Sequence, residues 1–303
     1  MENPLDEVAE RAYHWPMSVI DPHAHTRASD GTCSSTELLE AALEAGLTHV
    51  GITDHDTVDG WEEAETAARR VGVGLIRGAE VSATWQGRSV HILALLPNPE
   101  DAALSASFER VRKSRENRIE EMVSAMVRDF PKLSFEAVAA RGRGGVLGRP
   151  HLADELVSLG YVEERSAAFK TILAPSSPYY VPQDAPDVTR AVELIRGAGG
   201  VPILAHPQAR GRSRPLAREV IEEMVDAGLA GIEVHHRDHD EAGILAAKQL
   251  AKEFGLLATG GSDFHGSGKP NRLGENVTSP EVLAEIIEQG SIEVIDLGRQ
   301  LGH

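Results

Sequence analysis

Short apolar runs, each closed by a polar cluster, alternate with segments of helical period along most of this chain. Val19-Ile20 leads into Asp21-Pro22-His23-Ala24-His25, and Val50-Gly51-Ile52-Thr53 leads into Asp54-His55-Asp56. A strand from Val73 to Ile76 ends in Gly78-Ala79-Glu80. Later runs end in His206-Pro207, in His235-His236 and, after Leu256-Leu257-Ala258-Thr259, in Asp263-Phe264-His265. Between the first runs, Ser34 and Glu37 form a capping box for a helix ending at Gly46, and a second helix spans about 59–71. Helices at 187–197, 215–227, about 240–254 and 280–289 continue the rhythm, and a short strand at 291–295 closes it. Such β–α alternation predicts parallel strands whose C-terminal ends collect the functional groups.

Two stretches depart from this rhythm. VSATWQGRSVHILAL reads as a hairpin turning at Gln86-Gly87, which pairs Trp85 with Arg88 and Ser82 with His91. Glu80 then lies one diagonal step from His91 on the same face. From 101 to 185 the pattern is helical, at 105–129, 134–140, 151–159 and 164–172, and rich in arginine. Between 101 and 150 there are ten Lys/Arg against seven Asp/Glu, in a chain whose net charge is −17. We therefore expect two units: a barrel from residues 1–100 and 186–303, and a small helical insert, 101–185, capping the active site.

Composition narrows the function classes. With 303 residues, 41% hydrophobic and only 4% aromatic, the chain can build the large aliphatic core of an α/β protein. A charge of −17 argues against duplex nucleic acid or a membrane surface as partner. An anionic substrate would need local attraction, which bound cations supply. The single cysteine, Cys33, and a polar N-terminus without an apolar core fit a cytoplasmic protein. Oligomeric state is not legible.

The chemistry lies in the clusters. In an extended backbone, side chains at i and i+2 share a face, so His23 and His25 can address one ion. Ten candidates gather at the predicted strand ends or in the insert: His23, His25, Asp30, His55, Glu80, His91, His151, His206, Asp263 and His265. Ten exceed what one site uses, so more than one ion is expected. Carboxylate and imidazole donors without thiolates suit Mn, Fe or Zn. His14, His49, His235, His236, His239 and His303 are read as structural or exposed. For phosphate, Arg149 beside His151 is the obvious cation, and Lys269 follows Asp-Phe-His closely.

The motifs DPHAH, TDHDTVDG, GAEVSATWQGRSVHILAL, GRPHLADELVSLGYV, AHP and GGSDFHG resemble those of the PHP (polymerase and histidinol phosphatase) superfamily. Within it they are similar to the stand-alone metal-dependent phosphoesterases that include nucleoside 3',5'-bisphosphate phosphatase and ribonuclease AM. The resemblance implies a distorted (βα)7 barrel with a trinuclear site. His23, His25, Glu80 and Asp263 would hold one ion, Glu80 would bridge to a second held by His91 and His151, and Asp30, His55 and His265 would hold a third. His206 would sit near the phosphate as a proton donor, with Glu80 and Arg149 as its catalytic companions. The implied reaction is hydrolysis of small nucleotide phosphate esters by a hydroxide shared between two ions. It covers the 3'-phosphate of bisphosphates and 5'-to-3' trimming of short RNA; histidinol phosphate or a cyclic sugar phosphate is the alternative substrate. The chain departs from the family at Ala174-Pro175-Ser176-Ser177-Pro178 and at Gln208-Ala209-Arg210, which leaves Arg210 a substrate-binding candidate. A C–N hydrolase is disfavoured because no lysine ends a strand, and a non-catalytic module because the ligand set is intact.

Overall fold

The computed structural model describes residues 18–143, 145–209 and 215–296. His14, Arg210 and His303 therefore lie outside the described residues. Seven strands form one sheet in sequence order: β1 (Ile20–Asp21), β2 (His49–Ile52), β3 (Gly74–Trp85), β4 (Arg88–Leu95), β5 (Val201–Leu204), β6 (Gly231–His235) and β7 (Leu257–Gly260). The first three pair in parallel, β4 runs antiparallel to both β3 and β5, and β5 to β7 are parallel again. The β3–β4 hairpin has the expected register, Ser82 opposite His91 and Trp85 opposite Arg88. Its turn places Gln86 at φ 49° and Gly87 at φ 74°, the doubly left-handed form that matches strand twist.

The sheet nearly closes on itself. The extended chain after β1 meets the chain after β7, with the His25 amide donating to Phe264 O at 2.8 Å and the Asp263 amide to His23 O at 3.0 Å. The result is a nearly closed α/β barrel of seven strands. Close approach is built in with glycine: a Cβ at Gly51 would stand 2.1 Å from Pro22 O.

The helices follow from amphipathic pattern and caps. Ser34 and Glu37 form the expected capping box on Ser35–Glu44, whose Leu38, Leu39 and Ala42 pack with Val50, Ile52 and Leu75. At the barrel end opposite the polar clusters, Ile20, Ile76, Leu93, Leu95 and Ile203 pack with Leu283 and Ile286 of the helix Pro280–Gln289. The short strand expected at 291–295 does not form. Only Ile295 bridges, antiparallel to Leu75, because β4 takes the same edge of β3 from Gly78 onward.

The helices Ala102–Met126, Phe135–Arg141, Arg149–Ser158 and Arg165–Lys170 have a core of their own, including Ile119, Met122, Met126, Leu152, Leu156 and Leu173. The long helix joins the two regions: Leu104 and Phe108 near its start pack against barrel residues, and its second half enters the other core. Arg115, midway along it, donates to Asp56 Oδ2 at 3.1 Å and to Ser82 Oγ at 2.6 Å. Among the described residues, no helix is long and apolar enough to cross a membrane.

Candidate metal centre

Barrel closure assembles the first group of donors. His23 and His25 project from the segment after β1, and Asp263 and His265 from the segment after β7, the two strips hydrogen-bonded to each other. His23 Nε2 and His25 Nε2 lie 3.2 Å apart. Both approach Glu80 Oε2, at 3.5 and 3.0 Å, and Asp263 Oδ1, at 3.6 and 3.4 Å. Glu80 arrives on β3, and a parallel bridge sets it beside His55 at the end of β2.

Two further groups share residues with the first. Asp30 Oδ1 gathers His265 Nε2 at 3.1 Å, with His55 Nε2 and His25 Nδ1 each at 3.8 Å. Glu80 also meets His55 Nδ1 at 3.3 Å, through Oε2, and His91 Nδ1 at 2.8 Å, through Oε1. His206 Nε2 reaches Glu80 Oε1 at 2.9 Å, as closely as His91 does. The backbone carries strain here: Asp56, His206 and Asp263 have φ of 51°, 32° and 53°, which non-glycine residues adopt at a cost.

The buried carboxylates and imidazoles shift one another strongly. Burial alone would raise Asp30 and Glu80, but the surrounding imidazoles hold both carboxylates well below their usual range. Burial would likewise lower His23 and His25; neighbouring carboxylates overcome it and raise His23 strongly and His25 to about 9. His265, buried and near Lys269 and His25, is pushed down to about 4, and burial also drives His55 well below its ordinary value.

The residues fit metal ions. Asp30 Oδ1, His55 Nδ1, Glu80 Oε2 and His265 Nε2 are buried with no hydrogen-bond partner, although buried polar atoms are nearly always satisfied. All four residues belong to the three groups of possible metal donors. A dehydrated cation is the partner such a set of oxygen and imidazole donors calls for.

The remaining candidates are placed as follows. His151 is buried at the start of the helix Arg149–Ser158, its Nδ1 accepting from the Gly148 amide at 3.1 Å. It lies outside the three groups; His55 stands beside Glu80 and His91 instead. Arg149 donates to Leu173 O at 3.2 Å and lies over the Phe169 and Tyr180 rings. Lys269 donates to Asp263 Oδ2 at 2.9 Å.

Several residues at the site were not singled out from the sequence. Glu233 is fully buried in β6 and accepts from the His206 amide at 2.6 Å, while its other oxygen lies 2.8 Å from His23 Nδ1. Gly261 is needed beside it, since a Cβ there would stand 2.6 Å from Glu233 Oε1 and His23 Cβ. A carboxylate inside the apolar run Gly231-Ile232-Glu233-Val234 was the available signal. His236, read as structural or exposed, has Nε2 3.5 Å from Asp263 Oδ2. Arg115 and Arg165 from the insert are two more: the charge of Arg115 bears on His55, and Arg165 forks onto Asp154 and bears on Asp30 and His151.

An α/β barrel with interlocked His/Asp/Glu groups at one end defines the class of metal-dependent hydrolases built on strand-end ligands. The chain belongs to the PHP family, whose domain model matches residues 21–141. It is 34% identical over 272 residues to a 3',5'-nucleoside bisphosphate phosphatase of Chromobacterium violaceum, spanning 89% of this chain and 95% of that protein. It is equally 34% identical to a 5'-3' exoribonuclease of Haemophilus influenzae, over 89% of this chain and 98% of the relative. A solved metal-dependent phosphoesterase from Bifidobacterium adolescentis superposes with a TM-score of 0.88 at 38% identity, covering 91% and 98% of the two chains. The protein is a metal-dependent phosphoric ester hydrolase.

Proposed function

We propose that this enzyme removes the 3'-phosphate of nucleoside 3',5'-bisphosphates, and that the same site trims short RNA from its 5' end. The carrying observation is the set of buried, partnerless ligand atoms on Asp30, His55, Glu80 and His265, beside an insert rich in guanidinium groups. The names of the two relatives at 34% identity support the nucleotide class.

In this reading two to three divalent ions, Mn, Fe or Zn, are held. His23, His25, Glu80 and Asp263 take one; Asp30, His55 and His265 take another; Glu80 and His91, with His55 or His151, take a third. Such ions supply charge neutralisation on the phosphoryl group and a water that ionises near neutral pH. The protein's own residues do the rest. Glu80 ties the groups together through both oxygens. His206 Nε2 offers a proton to the departing ribose oxygen, and Arg149 grips phosphate oxygens, with Lys269 and Arg210 as further binding residues. The segment 101–185 caps the site and excludes water.

The test is a panel of phosphate esters with Mn-loaded protein, followed by elemental analysis. Adenosine 3',5'-bisphosphate should show the highest kcat/KM, and two or three ions per chain should be found. A higher value for histidinol phosphate or a cyclic sugar phosphate would sink the nucleotide reading, and one ion or none after Mn reconstitution would sink the metal count.

A further inference from the structure

The insert meets the barrel at the three loops that carry Asp30, His55 and His265. On the loop after β1, the Val146 amide donates to Ala28 O at 3.0 Å, two residues from Asp30. Gly145 packs there backbone to backbone: a Cβ on it would stand 2.6 Å from Arg27 O and 2.8 Å from Ala28 O. On the loop after β2, Arg115 donates to Asp56 Oδ2, and Asp56 directly follows His55. Asp56 is fully buried, and its other oxygen accepts from the Ser82 amide at 2.8 Å. On the loop after β7, Arg165 Nη1 lies 2.8 Å from where a Cβ on Gly268 would be, three residues from His265. The fork onto Asp154 keeps Arg165 in that place.

The group of His23, His25, Glu80 and Asp263 is anchored from within the barrel. Glu233 holds His23, and Asp21 accepts from the Ser262 and Gly274 amides at 3.0 and 2.9 Å. Asp30 has one such anchor, since Asp54 accepts from the Thr26 amide and from the Thr26 and Ser29 hydroxyls at 2.8, 2.6 and 2.6 Å. The insert supplies its second hold. A cation between Asp30, His55 and His265 requires all three loops at one spacing, and residues that orient metal ligands are worth about 10–100-fold in affinity.

We propose that the insert positions this one metal group, with Gly145, Val146, Arg115 and Arg165 as positioning residues that hold the three loops at the spacing a cation needs. Docking of the insert and occupancy of this group are then coupled. The coupling is reciprocal, so the cation tightens the insert onto the barrel by the factor that the insert lends to the cation. This rests on the multi-ion reading above and is independent of the substrate.

The experiment titrates chelator-treated full-length protein with Mn calorimetrically, in the parent, Gly145→Ala and Arg115→Met. Gly145 lies between helices, so Gly145→Ala leaves the insert's core intact even if Arg115→Met does not. In either variant one Mn step should weaken roughly ten-fold or more while the other steps keep parent values. A general loss of stability would instead weaken every step. Hydrogen exchange reads the reverse direction: Mn should slow exchange across residues 102–173 in the parent, and much less in the variants. Parent-like Mn steps in both variants, with exchange of the insert indifferent to Mn, would overturn the coupling. Because His151 also belongs to the insert, Gly145→Ala is repeated in a His151→Ala background. Persistence of the weakened step assigns it to the loops; its disappearance assigns it to His151 and overturns the proposal. If the parent binds a single Mn, the multi-ion reading falls and exchange still decides. Protection of the insert by that ion, abolished in Gly145→Ala, upholds the coupling, and equal exchange with and without Mn removes it.

Discussion

Glu80 stands at the centre of the site at the scale of single residues. Its two oxygens meet five imidazoles, those of His23, His25, His55, His91 and His206, within 3.5 Å. Glu80→Gln should lower kcat by several orders of magnitude with the fold retained, because the replaced oxygen no longer carries charge for either group it serves. Near-parent turnover would move the bridging role to Asp30 or Asp263. Glu233 acts one step further out, fixing the orientation of His23 while anchoring the strained backbone at His206. Partners of this kind are worth about 10–100-fold in metal affinity. Glu233→Ala should therefore weaken Mn binding by about that factor in a competition titration, and unchanged affinity would make Glu233 a packing residue. Arg149→Lys keeps the charge but loses the planar fork. A drop of roughly ten-fold in kcat/KM on bisphosphates, about 1.4 kcal/mol, is expected with metal content unchanged; parent-like efficiency would leave Arg149 as a stacking residue on Phe169 and Tyr180.

Among the elements, the β3–β4 hairpin and the helical insert carry the most information. The hairpin brings His91 back to Glu80 because Gln86-Gly87 adopts the turn that preserves strand twist. The insert is stabilised by its own apolar residues and pinned to the barrel through Arg115, Asp56 and Ser82. Leu156 is fully buried in that core, and Leu156→Ala should cost about 2–5 kcal/mol of local stability. Hydrogen exchange should speed up across residues 102–173 while the barrel strands remain protected. Uniform acceleration over both regions would show that insert and barrel unfold together.

The whole molecule carries −17 charges and concentrates buried carboxylates and imidazoles at one end of a barrel. Bound cations that recognise only the folded state stabilise it by about 4 kcal/mol at a thousand-fold excess over Kd. Chelator treatment should therefore lower Tm and abolish turnover, and added Mn should restore both. Equal Tm and activity before and after chelation, with metal loss verified, would contradict a metal-built site.

Strand ends, helix caps and the hairpin register were all legible along the chain, since each depends on residues close in sequence. Ser34 with Glu37 and Gln86-Gly87 report their own local geometry, and the i, i+2 spacing of His23 and His25 follows from extended backbone alone. The order of ligand-bearing strands was legible too, because it follows the alternation of strand and helix. A barrel was expected from that alternation and from the family resemblance, but the sharing that its closure produces was not: His25 and His55 each serve two groups because β1, β2 and β7 converge at one end. The partners of Glu233 lie 210 and 27 residues away, and no periodicity records such a contact. Nothing in the local sequence around Arg118 marks it as buried; only packing against Tyr180 and Gln183 takes it out of solvent. Local chemistry is written in neighbouring residues, whereas burial and charge balance exist only once distant segments have closed around a side chain.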